Sequence, residues 1–166
     1  MRIVDADGGD VRPGDTGELL FGGPAITPGY WNKPAETEAA FIDGVWLRSG
    51  DLARCDGDGD YFIVGRSKDM YISGGANVYP AEVENALAEH PDVLEAAVIG
   101  IADERWGEAG AAYLLLRDGH DAPADSNVTD FLRNRLAAYK IPKRFIVVSD
   151  FPRTAAGKVQ KHKLPR

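Results

Sequence analysis

A single cysteine, Cys55, stands among the 166 residues, so the chain has no internal disulfide and no cysteine-rich metal site. Histidine is nearly as scarce. His90, His120 and His162 lie far apart in sequence and offer no zinc spacing, so no metal site is expected. No apolar run approaches the ~20 residues that a membrane span requires. The opening MRIVDADGGD lacks both the basic n-region and the apolar h-region of a secretory leader. These absences make a cytoplasmic location the default expectation, with no membrane span or anchor. Positive charge is also in short supply. Against 26 Asp+Glu there are 19 Lys+Arg, and a formal net charge of -7 gives general nucleic-acid binding little electrostatic support. The basic residues that do occur cluster late, in YKIPKRF and GKVQKHKLPR.

What is present suits a globular protein of one domain or two small ones, with 44 % apolar and 27 % charged residues. Up to about residue 66, Gly, Pro and Asp punctuate short apolar runs such as GELLFGG, VWLRSGDLA and YFIVG, a pattern of hairpin-rich β structure. DGDGD, from Asp56 to Asp60, has the look of a calcium loop, but Tyr61 stands where the sixth-position Gly belongs and Ser67 where the closing Glu belongs. It is expected to be a tight turn.

After Gly65 the pattern changes. Pro80 suits the first turn of a helix, Glu82 and Glu84 lie near its positive end, Val83, Ala86 and Leu87 form a buried stripe, and Pro91 ends it. Strands are expected at 93–102, 111–117 and 144–150. Between the last two, Val128, Phe131, Leu132 and Leu136 fall at helical spacing after a capping candidate in Asp125 or Ser126, and Tyr139 continues that stripe. The order β-hairpin, α, β, β, α, β describes a compact α+β domain. Residues 1–66 have no helix large enough to cover their hairpins and read as the β-rich edge of a larger domain, followed by a small α+β domain over 67–166.

Four stretches occur in order: GYWNKPAET (29–37), WLRSGDLA (46–53), GRSKDMYISGGANVYPAEVE (65–84) and PRTAAGKVQKHKL (152–164). Together they resemble the C-terminal part of the acyl-CoA synthetases of the adenylate-forming superfamily, over nearly the whole chain. The resemblance implies ATP-dependent acid:CoA ligation. A carboxylate attacks ATP to give an acyl-adenylate and pyrophosphate, and coenzyme A then displaces AMP to give the thioester. It implies a β-rich trailing edge of a large N-terminal domain, followed by a mobile C-terminal lid. The expected cofactors are ATP, Mg2+ held mainly by the N-terminal part, and coenzyme A. The expected partners are a small fatty or aryl carboxylic acid and the N-terminal domain of the same enzyme.

The resemblance assigns Asp51 to the ATP ribose, a role that suits a carboxylate able to accept from two hydroxyls. Arg66 lies near the nucleotide, where a planar donor fork fits ribose or phosphate oxygens. Lys68 takes the hinge position. Lys158 is the catalytic cation of the first step, where two anions must meet and a compact ammonium offsets the developing charge. TAAGKV is not a phosphate-binding P-loop, because the leading Gly and the Ser/Thr after Lys are missing. Gly74 and Gly75, having no Cβ, let a thin arm such as pantetheine run against the backbone. Trp106, Tyr139 and Lys143 map to further coenzyme A contacts. Ala76 departs from the Glu frequent in relatives, and Ile141 from a second basic residue. The family's Ser/Thr/Gly-rich phosphate loop and its Tyr-Gly-x-Thr-Glu stretch are not among the 166 residues, so this chain alone is expected not to activate a carboxylate. Two other readings stay open: an adenylation domain that loads a carrier protein, which usually has Asp at the Lys68 position, and a non-catalytic remnant that binds a nucleotide or partner.

Overall fold

The computed structural model describes residues 1–165. Contacts divide the chain into two compact units directly after Lys68, two residues beyond the boundary read from the sequence.

The first unit is a five-stranded antiparallel sheet built around one long strand. Strand β1 (Arg2–Val4) pairs with β2 (Gly17–Phe21), and β2 pairs with β4 (Trp46–Cys55), which also carries the short β3 (Phe41–Ile42) and β5 (Tyr61–Arg66). Ile3, Leu19 and Ala53 form its small core with Val11, Phe21 and Cys55 packed beside them. Helix α1 (Pro34–Ala40) starts on a proline and buries no residue, so it adds little to that core. The β4–β5 connection is a tight turn. The Asp56 carboxylate accepts the amides of Asp58 at 3.0 Å and Asp60 at 2.9 Å, so its oxygens serve the turn itself.

The second unit is a mixed sheet with a different cover on each face. Strands β6 (Tyr71–Ser73) and β7 (Ala76–Val78) form a hairpin, followed by α2 (Pro80–Ala88), β8 (Val93–Asp103), β9 (Gly107–Leu116), α3 (Asp125–Arg133) and β10 (Arg144–Val148). The order is β10-β9-β6-β7, with β8 on β9, and only the β9–β10 pair is parallel. Pro80 opens α2 as expected, and Val83, Ala86 and Leu87 face the sheet. On that face they meet Tyr71, Val78, Val93, Val98, Ala112, Leu114, Val128, Leu132 and Ile141. Burial of Ile141 gives its departure a physical sense, because a charge there would be desolvated. The alternate residues of β8 and β9, namely Ala97, Ile99, Ile101, Ala111 and Tyr113, point to the opposite face and are covered by Phe151 and Leu164 from the C-terminal segment.

Three sequence expectations need correction. The helix of residues 126–139 stops at Arg133. Tyr139 therefore does not continue its stripe but lies in a separate 3₁₀ turn, Ala138–Lys140. Neither Asp125 nor Ser126 caps α3. Ala124 is the N-cap and makes no side-chain bond, while Asp125 lies in the first turn, where the helix dipole favours it. Strand β9 begins at Gly107, four residues before the expected start, because its first turn of chain, GEAG, carries no apolar signal and is held instead by pairing with β8.

Candidate functional site

In the first unit, β4 and β5 bring together two residues assigned separately from the sequence. Asp51 and Arg66 are direct cross-strand partners, and Arg66 Nε lies 2.8 Å from Asp51 Oδ1. Gly50 precedes Asp51 at φ +72°, a left-handed conformation that needs glycine, and the Ser49 hydroxyl accepts the Asp51 amide at 2.9 Å. The middle of β4 is thereby fixed, and it presents a partly exposed carboxylate beside a half-exposed guanidinium. Such a pair can accept from a diol and donate to an anion at one place. Lys68 lies in the 3₁₀ turn Ser67–Asp69, and its position is where the chain divides.

In the second unit, Gly74 and Gly75 are the two central residues of the β6–β7 hairpin. Ser73 pairs with Ala76 across the turn. Their φ values of +59° and +82° are those of a primed two-residue turn, whose twist matches that of the strands it joins. A second turn, between β8 and β9, lies against it. Asp103 Oδ1 accepts the amides of Arg105 at 3.0 Å and Trp106 at 2.9 Å, and the Trp106 carbonyl accepts the Gly74 amide at 2.9 Å. A Cβ at Gly74 would fall 2.7 Å from Trp106 Cε3, whereas one at Gly75 would meet nothing within 4 Å. Gly74 is thus a packing glycine under the indole, and Gly75 leaves an open edge of backbone. The Arg105 guanidinium stacks 4.7 Å from the indole centroid.

The remaining sequence candidates lie elsewhere in this unit. Lys143 donates its amide to the Gly110 carbonyl at 2.8 Å, and its exposed side chain lines a pocket with Asp125, Thr129, Arg133, Ala138 and Phe145. Tyr139 is about half exposed beside that pocket's Ala138, and the neighbouring Lys140 is held by both oxygens of Glu82 at 2.7 Å.

Lys158 projects from a closed turn. Arg153 and Val159 form an antiparallel bridge, Thr154 donates its amide to the Lys158 carbonyl at 2.8 Å, and Gly157 turns at φ +80°. The exposed Lys158 ammonium has no carboxylate partner among the described residues. Two ion pairs that sequence reasoning missed anchor this segment. Arg153 grips both oxygens of Glu95, at 2.5 and 3.3 Å, a carboxylate contact that raises its pKa, and it also reaches the Gly157 carbonyl at 3.1 Å. Lys161 Nζ lies 2.6 Å from Glu84 Oε1, which also accepts the Val98 amide at 2.7 Å. Their partners are 58 and 77 residues away in sequence, so no local pattern could have shown them. Among the described residues no group of three His, Cys, Asp or Glu side chains could hold a metal.

Comparison with known proteins fits this geometry. Residues 82–158 match the family described as AMP-binding enzyme C-terminal domain. The chain is 47 % identical over 161 residues to indoleacetate–CoA ligase of Aromatoleum aromaticum, covering 97 % of this chain and 31 % of that protein. It is 45 % identical over 166 residues to feruloyl-CoA synthase of Amycolatopsis sp, covering all of this chain and 33 % of the relative. Among solved structures, o-succinylbenzoate CoA synthetase from Bacillus subtilis in complex with its acyl-adenylate intermediate superposes with a TM-score of 0.91 at 39 % identity, over 98 % of this chain and 33 % of that one. The chain spans about a third of the length of the relatives it matches.

Proposed function

We propose a function on one premise: residues 82–158 belong to the AMP-binding enzyme C-terminal domain family, and the chain corresponds to the C-terminal portion of acyl- and aryl-CoA ligases. On this reading it is the nucleotide edge and the moving lid of an ATP-dependent acid:CoA ligase. Residues 1–66 close the large N-terminal domain, 67–166 form the lid, and the substrate is a fatty or aryl carboxylic acid. The observation that carries the reading is the position of the division. It falls directly after Lys68, and both Lys158 and the Gly74–Gly75 turn lie beyond it in one compact unit. A change of backbone torsion near Lys68 would therefore move both as a body, so one could leave a reaction centre as the other arrives.

In the first half-reaction the carboxylate attacks the α-phosphorus of ATP and pyrophosphate departs. Lys158, with no carboxylate partner among the described residues and set on a turn braced by Arg153, supplies the cation that the developing charge requires. Asp51 accepts from the ribose hydroxyls, and Arg66 orients that carboxylate while offering its own donors to the nucleotide. In the second half-reaction the thiol of coenzyme A attacks the acyl carbon and AMP leaves. The open backbone at Gly75 suits a thin pantetheine arm, with Trp106 beside the turn and Tyr139 and Lys143 as outlying contacts for the nucleotide end of coenzyme A. The described residues offer no acidic cluster for Mg2+, which on this reading is held mainly by the N-terminal part. By itself the chain is inactive.

The test is to replace the matching C-terminal portion of the Aromatoleum aromaticum ligase with this chain and follow the two half-reactions separately. Lys158→Ala should cut adenylate formation by about 10²–10³ and leave thioester formation from supplied acyl-adenylate largely intact. A folded replacement that performs neither half-reaction would favour the non-catalytic remnant. Acyl transfer to a carrier protein but not to coenzyme A would favour the carrier-loading alternative.

A further inference from the structure

The hairpin that carries Gly74 and Gly75 is joined to its sheet by very little main chain. Strand β6 pairs with β9 only at Ser73 and Gly107. That bridge is closed by the Gly74 amide on the Trp106 carbonyl, a link between peptide groups. The other link is a side chain. The Ile72 amide donates to Glu108 Oε2 at 2.9 Å, across 36 residues, where a regular ladder would place a carbonyl. The other carboxylate oxygen, Oε1, lies over Gly100, and a Cβ there would approach it to 3.2 Å. Gly100 is the direct partner of Gly110 on β9, and the Tyr71 ring occupies the space that side chains at these two positions would need. The hairpin is therefore seated by a tyrosine over a glycine pair and tied by one carboxylate.

We propose that Glu108 is a positioning residue for the coenzyme A half-reaction: by holding the Ile72 amide it fixes the angle at which the diglycine turn presents its open backbone. This rests on the ligase reading above. Glu108 does not touch the reacting atoms. A turn whose peptide planes guide a narrow arm must be fixed before the arm arrives, because each ångström of wander lowers the fraction of productive encounters. The bridge cannot be removed by substitution, being backbone. The carboxylate can.

Two measurements test this. In the 166-residue chain, amide hydrogen exchange at Ile72 and Gly74 should rise about tenfold or more in Glu108→Ala, the expectation for loss of one charge-assisted hydrogen bond, while amides of central β9 such as Ala112 keep their protection. Glu108→Gln, which retains an acceptor oxygen, should restore most of the protection at Ile72. In the ligase bearing this chain, Glu108→Ala should lower thioester formation from supplied acyl-adenylate tenfold or raise the KM for coenzyme A by that factor, with adenylate formation reduced no more than twofold. Glu108→Gln should recover most of the loss. Unchanged exchange at Ile72, or equal losses in both half-reactions, overturns the proposal, because a merely structural carboxylate would lower the folded fraction and both rates together. If the unsubstituted hybrid makes no thioester, the ligase reading is what fails. The exchange result then still decides whether Glu108 ties the turn.

Discussion

Substitution of alanine at each glycine of the β6–β7 turn separates two physical effects that the pair otherwise confounds. Both residues sit at positive φ, +59° and +82°. An L-residue there costs roughly 1–2 kcal/mol, offset by about 0.4–1 kcal/mol from the reduced entropy of the unfolded chain. Gly75→Ala meets open space, so its cost should be that difference alone, about 1 kcal/mol. Gly74→Ala also drives its Cβ to 2.7 Å from Trp106 Cε3, against the 3.4 Å at which ordinary contact begins. Overpacking of that kind adds about 1–3 kcal/mol, for a total near 2–4 kcal/mol, or several degrees more in Tm than for Gly75→Ala at about 4–8 °C per kcal/mol in a domain of this size. The assay is urea and thermal unfolding followed by far-UV circular dichroism. Trp106 is the only tryptophan after Lys68, so a Trp31→Phe/Trp46→Phe background also lets indole fluorescence report this unit. In a double-mutant cycle, Trp106→Ala should relieve Gly74→Ala by about 1–3 kcal/mol and leave Gly75→Ala unaffected. Equal costs for the two alanines, within about 0.5 kcal/mol, would refute the packing role given to Gly74.

Three further outcomes are expected. Tyr71 carries a buried hydroxyl with no partner among the described residues, so Tyr71→Phe should be neutral or stabilising by up to about 1 kcal/mol at pH 7, and a larger loss would show the hydroxyl to be engaged. Burial, then the charges of Glu108 and Glu84, raise its pKa above the ordinary 10.0. Its contribution to stability is thus complete below pH ~10 and lost as pH rises toward the folded value, and Tyr71→Phe should flatten that alkaline decline in the urea midpoint. Glu84→Ala strands the Val98 amide and Lys161 together, for a loss of about 1–3 kcal/mol in urea unfolding, whereas Glu84→Gln keeps the amide acceptor and should lose less than half as much. Asp51→Ala breaks a half-exposed ion pair, a change of under about 1 kcal/mol in unfolding, yet should abolish nucleotide binding measured calorimetrically in the intact ligase, and a retained affinity would remove Asp51 from the ribose site.

Much of this was legible in the chain, and what was not has a common physical origin. Helix α2 announced itself through Pro80 and the Val83, Ala86, Leu87 stripe, and β8 through its branched residues, because a single amphipathic period is written locally. The early end of α3 was hidden because Leu136 keeps the helical spacing after the helix has stopped, packing on the core from the irregular chain that follows. The start of β9 was hidden because glycines and a glutamate are held there by cross-strand partners. In the candidate site, the resemblance carried by the four motifs pointed to Asp51, Arg66 and the diglycine. The pairing of Asp51 with Arg66, the indole over Gly74 and the carboxylate of Glu108 under Ile72 depend on register between strands, which sequence spacing does not record.

The seating of Phe151 and Leu164 against Ile99, Ile101 and Tyr113 has a consequence for how the Lys158 ammonium can be removed. Trimming the chain ahead of Phe151 would bare a broad greasy plane, inviting clumping instead of leaving a quiet, well-behaved relic. Silencing the ammonium while keeping a soluble fold therefore calls for a change at the lysine itself or at the arginine that braces it, with the rest of the strap left in place.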